Sequence, residues 1–176
     1  DAAQTTDNRW KYVDDLILLE VINKFQPSEL QAHVDSLTGW CRQNDVIPNA
    51  AKCKAMQISF LRTPQHPPDL LIDSASLEIV STIKLLGVII QHDLKWDQQV
   101  ARIISNASRR LFIISKLKRN GVNTQDLVTI YQLYIRPVLE FAAPVWTSGI
   151  TKAQAENIER IQKRALRIIV YPNVLP

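Results

Sequence analysis

The chain has 176 residues, 46% of them apolar and 22% charged, with a net charge of +4 at pH 7. This is ordinary globular composition, enough for a real core and one or two domains. Two cysteines, Cys41 and Cys53, exclude a disulfide framework and suggest free thiols in a reducing compartment; His33, His66 and His92 have no zinc-ligand spacing with either; no apolar run is long enough to span a bilayer, and no signal peptide opens the chain.

The net charge hides an asymmetry. Residues 1–93 hold 8 Lys/Arg against 12 Asp/Glu, a net of −4, and residues 94–176 hold 13 against 5, a net of +8. An acidic first half and a basic second half suggest two modules, the second facing a polyanion.

Residues 1–8 are polar, and fraying is expected there. Arg9-Trp10-Lys11-Tyr12-Val13 and Leu16-Ile17-Leu18-Leu19 then read as two strands joined by a tight acidic turn. Asp14 falls at the end of the first strand on this reading and Asp15 further into the turn. Two adjacent carboxylates repel, so the turn favours a bound cation or solvent around it. Mg²⁺ is commonly held by one or two carboxylates together with substrate phosphates. An ordinary turn with two solvated acids fits the same four residues. Pro27-Ser28 opens a helix with Ser28 as N-cap, Leu30, Val34, Leu37 and Cys41 recur at helical spacing, and the end is expected near Gln43-Asn44. Residues 52–60 read as a strand of partial alternation, and Arg62 to Pro68 as a proline-rich loop. A second hairpin is expected around Asp73-Ser74-Ala75-Ser76, followed by a buried strand, Ile83 to Ile90, interrupted by Gly87.

From Asp97 the period becomes helical. Val100, Ile104, Ala107, Leu111 and Ile114 form one stripe, and Arg102, Arg109 and Lys116, seven residues apart, stack on the opposite face. Such a basic stripe is either a solvated face or a nucleic-acid contact. Asn120-Gly121 ends this helix, and Asn123 or Thr124 caps the next, whose buried face is marked by Leu127, Ile130, Tyr131 and Tyr134 until Pro137 ends or kinks it. Thr151 with Gln154 is a capping-box pattern for a last helix, with Ile158, Ile161, Ala165 and Ile168 inside and Arg160, Lys163, Arg164 and Arg167 on its other side. The order predicts an α+β unit followed by an all-α unit.

Taken together, these segments resemble the second half of a reverse transcriptase from a non-LTR, LINE-type retrotransposon, over about residues 10–170. Tyr12-Val13-Asp14-Asp15 is similar to that family's catalytic hairpin, Leu30 to Asn44 to the palm helix after it, Asn49-Ala50-Ala51-Lys52 to an Asn-x-x-Lys motif, and Lys84-Leu85-Leu86-Gly87-Val88 to the primer grip. Leu94-Lys95-Trp96, the stretch from Tyr134 to Trp146, and the stretch from Ile158 to Ala165 resemble thumb segments.

The resemblance implies a partial polymerase palm over residues 1–93 and a helical thumb over 94–176, truncated at its C-terminus. The parent activity would be RNA-directed DNA synthesis, extending a DNA primer on an RNA template with dNTPs by a two-metal displacement. Asp14 and Asp15 would hold Mg²⁺, with Asp14 the main ligand. Lys52 would act at the leaving pyrophosphate, Leu86 and Gly87 would form the primer grip, and Arg102, Arg109 and Lys116 would contact nucleic acid. The remainder of the parent polyprotein, an intracellular, nuclear location with the element's RNA, and no membrane follow from the same resemblance. Pro48, where an apolar residue is usual, and Cys53, where a threonine is common, depart from the pattern and would loosen the Lys52 strand. The family's further metal-binding Asp and its fingers have no counterpart upstream of Trp10, since Asp7 is too close to the hairpin. The chain therefore reads as a fragment, inactive alone as a polymerase. The alternative expectation is a non-catalytic nucleic-acid-binding remnant acting through the basic thumb.

Overall fold

The computed structural model describes residues 8–23, 26–62 and 67–171. The expected fraying of residues 1–7, the centre of the proline-rich loop and the final Pro172–Pro176 lie outside the described residues. The chain is α+β and divides into two compact units, residues 1–81 and 82–176.

Unit 1 opens with strands β1 (Arg9–Tyr12) and β2 (Asp15–Leu18), an antiparallel hairpin in the register Arg9↔Leu18 through Tyr12↔Asp15. Helix α1 (Leu30–Gln43) follows, with Val34, Thr38 and Cys41 buried. The helix ends where expected, but Ser28 is not its N-cap. Residue Glu29 holds that position without a side-chain bond, and the capping is shared: the Ser28 hydroxyl accepts from the Leu30 amide at 3.2 Å, and the Glu20 carboxylate accepts from the Glu29 amide at 2.7 Å and from the Ser28 hydroxyl at 2.5 Å. Burial pushes the Glu20 carboxyl up, but the Ser28 hydroxyl, the Glu29 and Leu30 amides and nearby His33 outweigh it and hold the group below its ordinary value.

The expected strand over 52–60 shrinks to β3 (Lys54–Ala55). Asn49 is the reason: its carbonyl accepts from the Lys52 and Cys53 amides at 3.0 and 3.2 Å, winding this stretch into a turn. The next hairpin pairs β4 (Leu71–Ile72) with β5 (Ala75–Ser76) across Asp73-Ser74, both at positive φ. This is the left-handed pair that a two-residue turn uses. Strand β6 (Glu78–Ile79) leaves that hairpin and pairs in parallel with β3. The side-chain amide of Gln31 acts as a strand partner for Leu71, accepting from its N–H at 2.8 Å and donating to its carbonyl at 3.0 Å. Ion pairs join Arg42 to Asp73 and Lys54 to Glu78. The apolar centre is small: Val34, Leu70, Ile72 and Leu77 are buried, with Leu18, Leu30, Ala50, Cys53 and Ala55 packed around them.

Unit 2 begins with β7 (Thr82–Leu85) and β8 (Val88–Gln91), a hairpin rather than one interrupted strand. Leu86 and Gly87 form its turn at φ 45 and φ 88. The boundary expected at 93/94 thus falls at 81/82, because this hairpin is built into the helical unit. Buried Gln99 accepts from the Ile89 amide at 2.9 Å, and Gln91 accepts from the Gln98 amide at 3.0 Å. Val88 belongs to the helical core.

Helix α2 (Asp97–Arg119) buries Val100, Ile103, Ala107, Leu111 and Ile114, with Ile104 partly buried. Helix α3 (Thr124–Ile130) is capped by Asn123, whose side chain accepts from the Asp126 amide at 2.9 Å. A π-helical turn, Tyr131–Ile135, runs on into α4 (Arg136–Glu140), with Pro137 in the first turn of α4. The wider π turn moves the buried face by one position. Ile135 is fully buried, whereas Tyr134, expected inside, is exposed. Phe141 and left-handed Ala142 lead to short α5 (Ala143–Trp146). Trp146 is 2% exposed and its indole N–H donates to the Phe141 carbonyl at 2.9 Å. Helix α6 (Lys152–Val170) starts from the expected capping box of Thr151 and Gln154 and packs Ile161, Ala165, Ile168 and Ile169 inward. Lys118 donates to the Ile169 carbonyl at 2.9 Å, closing the end of α6 on α2.

Candidate functional site

The acidic turn lies in unit 1. Tyr12 pairs with Asp15, so the two turn residues are Val13 and Asp14. The expected placement of the two acids is therefore reversed: Asp14 sits in the turn, and Asp15 is fixed at the start of β2. The reason is the two-residue connection, which needs positive φ at its first position, and Val13 takes φ 56 there. For a β-branched residue that conformation is an outlier, since its Cβ crowds the backbone. Both carboxylates and Val13 are exposed. Cross-strand pairing puts Asp15 on one face with Tyr12, Trp10 and Ile17, and Trp10 and Tyr12 are more than half exposed. The opposite face turns Leu18 toward the unit's small core.

Asp14 and Asp15 offer adjacent hard oxygen donors of the kind Mg²⁺ takes along with phosphates and water. Among the described residues no group of three or more His, Cys, Asp or Glu could hold an ion. The pair fits part of a Mg²⁺ site and does not complete one. Lys52 lies in the Asn49 turn, exposed, and no ion pair joins it to either acid among the described residues. Cys41 is buried, and burial together with the Asp73 charge pushes its thiol up, away from the reactive thiolate.

The remaining expected site residues lie in unit 2, and two of them meet. Arg102 donates to the Gly87 carbonyl at 3.4 Å. A Cβ on Gly87 would come within 3.1 Å of the Phe141 ring, so the glycine is required twice, by its φ of 88° and by this aromatic neighbour. Leu86 stands exposed at the apex of the turn. Arg109 and Lys116 lie along the outer face of α2, Arg109 donating to Asn106 at 2.6 Å.

Two aromatic contacts near this face escaped the sequence reading. Lys116 lies over the Phe112 ring at 5.0 Å, and Arg110 lies over the Tyr134 ring at 4.4 Å while donating to the Tyr134 carbonyl at 2.5 Å. The helical wheel already put Phe112 away from the apolar stripe, which was the available signal. Tyr134 is brought there by the π turn, which 3.6-residue periodicity does not foresee.

Among the described residues no helix is long and apolar enough to cross a membrane. No family model, curated protein or solved structure matches this chain.

Proposed function

We propose that this chain is the closing part of the palm and the thumb of a retrotransposon reverse transcriptase, whose parent extends a primer with dNTPs on an RNA template. The observation that carries the reading is the β1–β2 turn. It holds adjacent carboxylates at a hairpin tip on backbone that Val13 adopts only under strain. Strained positions of this kind cost on the order of 1–3 kcal/mol and cluster at functional sites. The Leu86-Gly87 turn and the basic outer face of α2 follow in the order that the resemblance requires. Asp14 and Asp15 would be two of the carboxylates holding Mg²⁺, which when bound would stabilise charge developing on the transferred phosphoryl group. Lys52 would neutralise the leaving pyrophosphate.

The test is a chimera with a fingers and palm segment of a related element fused upstream of Trp10. It should extend a primer on RNA, and Asp14→Asn should abolish extension by several orders of magnitude, with Asp15→Asn impairing it as well. Primer–template binding should survive both changes. Extension indifferent to Asp14→Asn would sink the catalytic assignment. The 176-residue chain alone should incorporate no dNTP.

A second reading, a binding remnant acting through unit 2 alone, is favoured by the excess of cations on α2. It predicts salt-dependent binding of nucleic acid without incorporation in any chimera.

A further inference from the structure

Helix α2 carries six cations, Arg102, Arg109, Arg110, Lys116, Lys118 and Arg119, and a single acid, Asp97, at its first residue. Elsewhere among the described residues five cations enter ion pairs, Arg42 with Asp73, Lys54 with Glu78, Lys95 with Asp93 at 3.3 Å, Arg136 with Glu140 at 2.7 Å and Lys163 with Glu159 at 3.1 Å. Among the described residues no α2 cation enters an ion pair. Five of the six have partners within the chain: Arg102 on the Gly87 carbonyl, Arg109 on the Asn106 side-chain oxygen, Arg110 on the Tyr134 carbonyl, Lys116 over the Phe112 ring and Lys118 on the Ile169 carbonyl. Arg109, Lys116 and Arg119 remain on the exposed side of the helix.

Between Arg109 and Lys116 stands Phe112, 59% exposed and outside the core cluster. The buried stripe lies on the opposite side, and the ring's one aromatic contact among the described residues is the Lys116 ammonium over it at 5.0 Å. Cations that track phosphates, interleaved with an exposed aromatic ring, suit a single strand, whose unpaired bases offer faces to stack on. A duplex keeps those faces stacked inside and presents only edges and phosphates. Arg109 and Lys116 are seven residues apart, roughly 10 Å along the axis, and a stacked strand rises about 3.4 Å per nucleotide. A few nucleotides therefore bridge the two cations with a base opposite the ring between them.

We infer that the outer face of α2 binds single-stranded nucleic acid, with Arg109 and Lys116 on phosphates and Phe112 stacked on an unpaired base. The inference rests on the nucleic-acid part of the proposed function and adds the form of the strand, the unpaired stretch of a template rather than its paired one.

The test is fluorescence anisotropy of the whole chain with a labelled oligothymidine of about twelve nucleotides, within the usual site size for such surfaces. The controls are the same backbone made abasic and a duplex of equal length. Phe112→Leu should weaken oligothymidine binding about tenfold while leaving abasic binding and the salt slope unchanged. Phe112→Tyr should restore the affinity. Arg109→Gln with Lys116→Gln should lower the log–log salt slope by about 0.7 for each lost contact. If Phe112→Leu matches the unmutated chain on both oligonucleotides while the salt slope persists, the stacking inference is overturned and the phosphate contacts stand. Absence of any oligonucleotide binding would overturn both the inference and the nucleic-acid reading beneath it.

Discussion

The two units reach order by different means. Unit 2 buries a continuous cluster that runs from Val88 and Trp96 through α2 to Ile169. Among the described residues unit 1 buries a cluster of four, Val34, Leu70, Ile72 and Leu77, with polar fastenings around it: Gln31 on Leu71, Glu20 on α1, and ion pairs at Arg42 and Lys54. Area removed from water is the main stabilising term in folding, whereas exposed ion pairs contribute about 0–1 kcal/mol each. Unit 2 therefore has the means to hold its shape through its core. The stability of unit 1 is a sum of small terms, each sensitive to pH, salt or one substitution. The acidic turn, the part of the chain with the most chemical content, sits on the weaker unit.

The largest expected effect is in unit 2. Trp146→Ala removes a side chain that is 2% exposed, together with its bond to the Phe141 carbonyl. It should cost about 3–5 kcal/mol, read as a fall in the urea midpoint of the helical circular dichroism signal. Leu70→Ala, in the small cluster of unit 1, should leave that midpoint within about 0.5 kcal/mol. Equal effects on the helical signal would break the comparison.

Gly87→Ala comes next. It forces a left-handed backbone on an L-residue and presses a methyl toward Phe141. A loss of about 1–2 kcal/mol is expected from the backbone alone. In the Phe141→Leu background the loss should shrink to the backbone part, and a double-mutant cycle measures the difference. Identical losses in both backgrounds would mean that the ring does not constrain the turn.

In unit 1 a substitution should stabilise. Val13→Gly relieves the positive φ at the hairpin tip. A gain of about 0.5–1 kcal/mol should remain after the added entropy of the unfolded chain is subtracted, measured as slower amide exchange across β1 and β2. Faster exchange would show that Val13 is unstrained there or is needed for packing.

The smallest effect is a pH dependence confined to unit 1. Glu20 is held below its ordinary value of 4.5, so its contribution is fully present above that value and is lost as pH falls through the lower, folded value. Unit 1 should loosen in that acidic window, seen in exchange of the α1 amides, by no more than about 1 kcal/mol. Glu20→Gln should flatten the dependence. An unaltered profile would move the cause to another carboxylate.

Much of unit 2 was legible in the sequence, because its helices carry their own punctuation. Asp97 opens α2, Asn120-Gly121 closes it, Asn123 caps α3, and Thr151 with Gln154 boxes α6. The β1–β2 strands were legible from their aromatic and branched residues. The placement of the acids was not, because the choice between Asp14-Asp15 and Val13-Asp14 as turn residues depends on which cross-strand pair forms last. The strand expected over 52–60 failed because Asn49 drew two amides into a turn, a local competition that partial alternation does not reveal. The compact units divide at 81/82, a division that charge does not reveal, since its sign changes near the same point whichever unit takes the β7–β8 hairpin. The Gln99 and Gln91 side-chain bonds, Arg102 on the Gly87 carbonyl and Val88 in the helical core assign it.

The π turn at Tyr131–Ile135 has a consequence for chain length rather than for composition. Leu127, Tyr131, Ile135 and Leu139 keep a spacing of four through α3, the π turn and α4, with three of them buried and Tyr131 partly so. A regular helix would carry that spacing steadily around its axis, and the wide turn absorbs the drift. Replacing exposed Gln132 with Ala leaves the count intact and should be nearly neutral in urea unfolding. Deleting Gln132 would space the four residues at four, three and four, the period of a regular α-helix, so a one-residue deletion here should close the π turn to an α-turn and cost far less than a deletion inside α2.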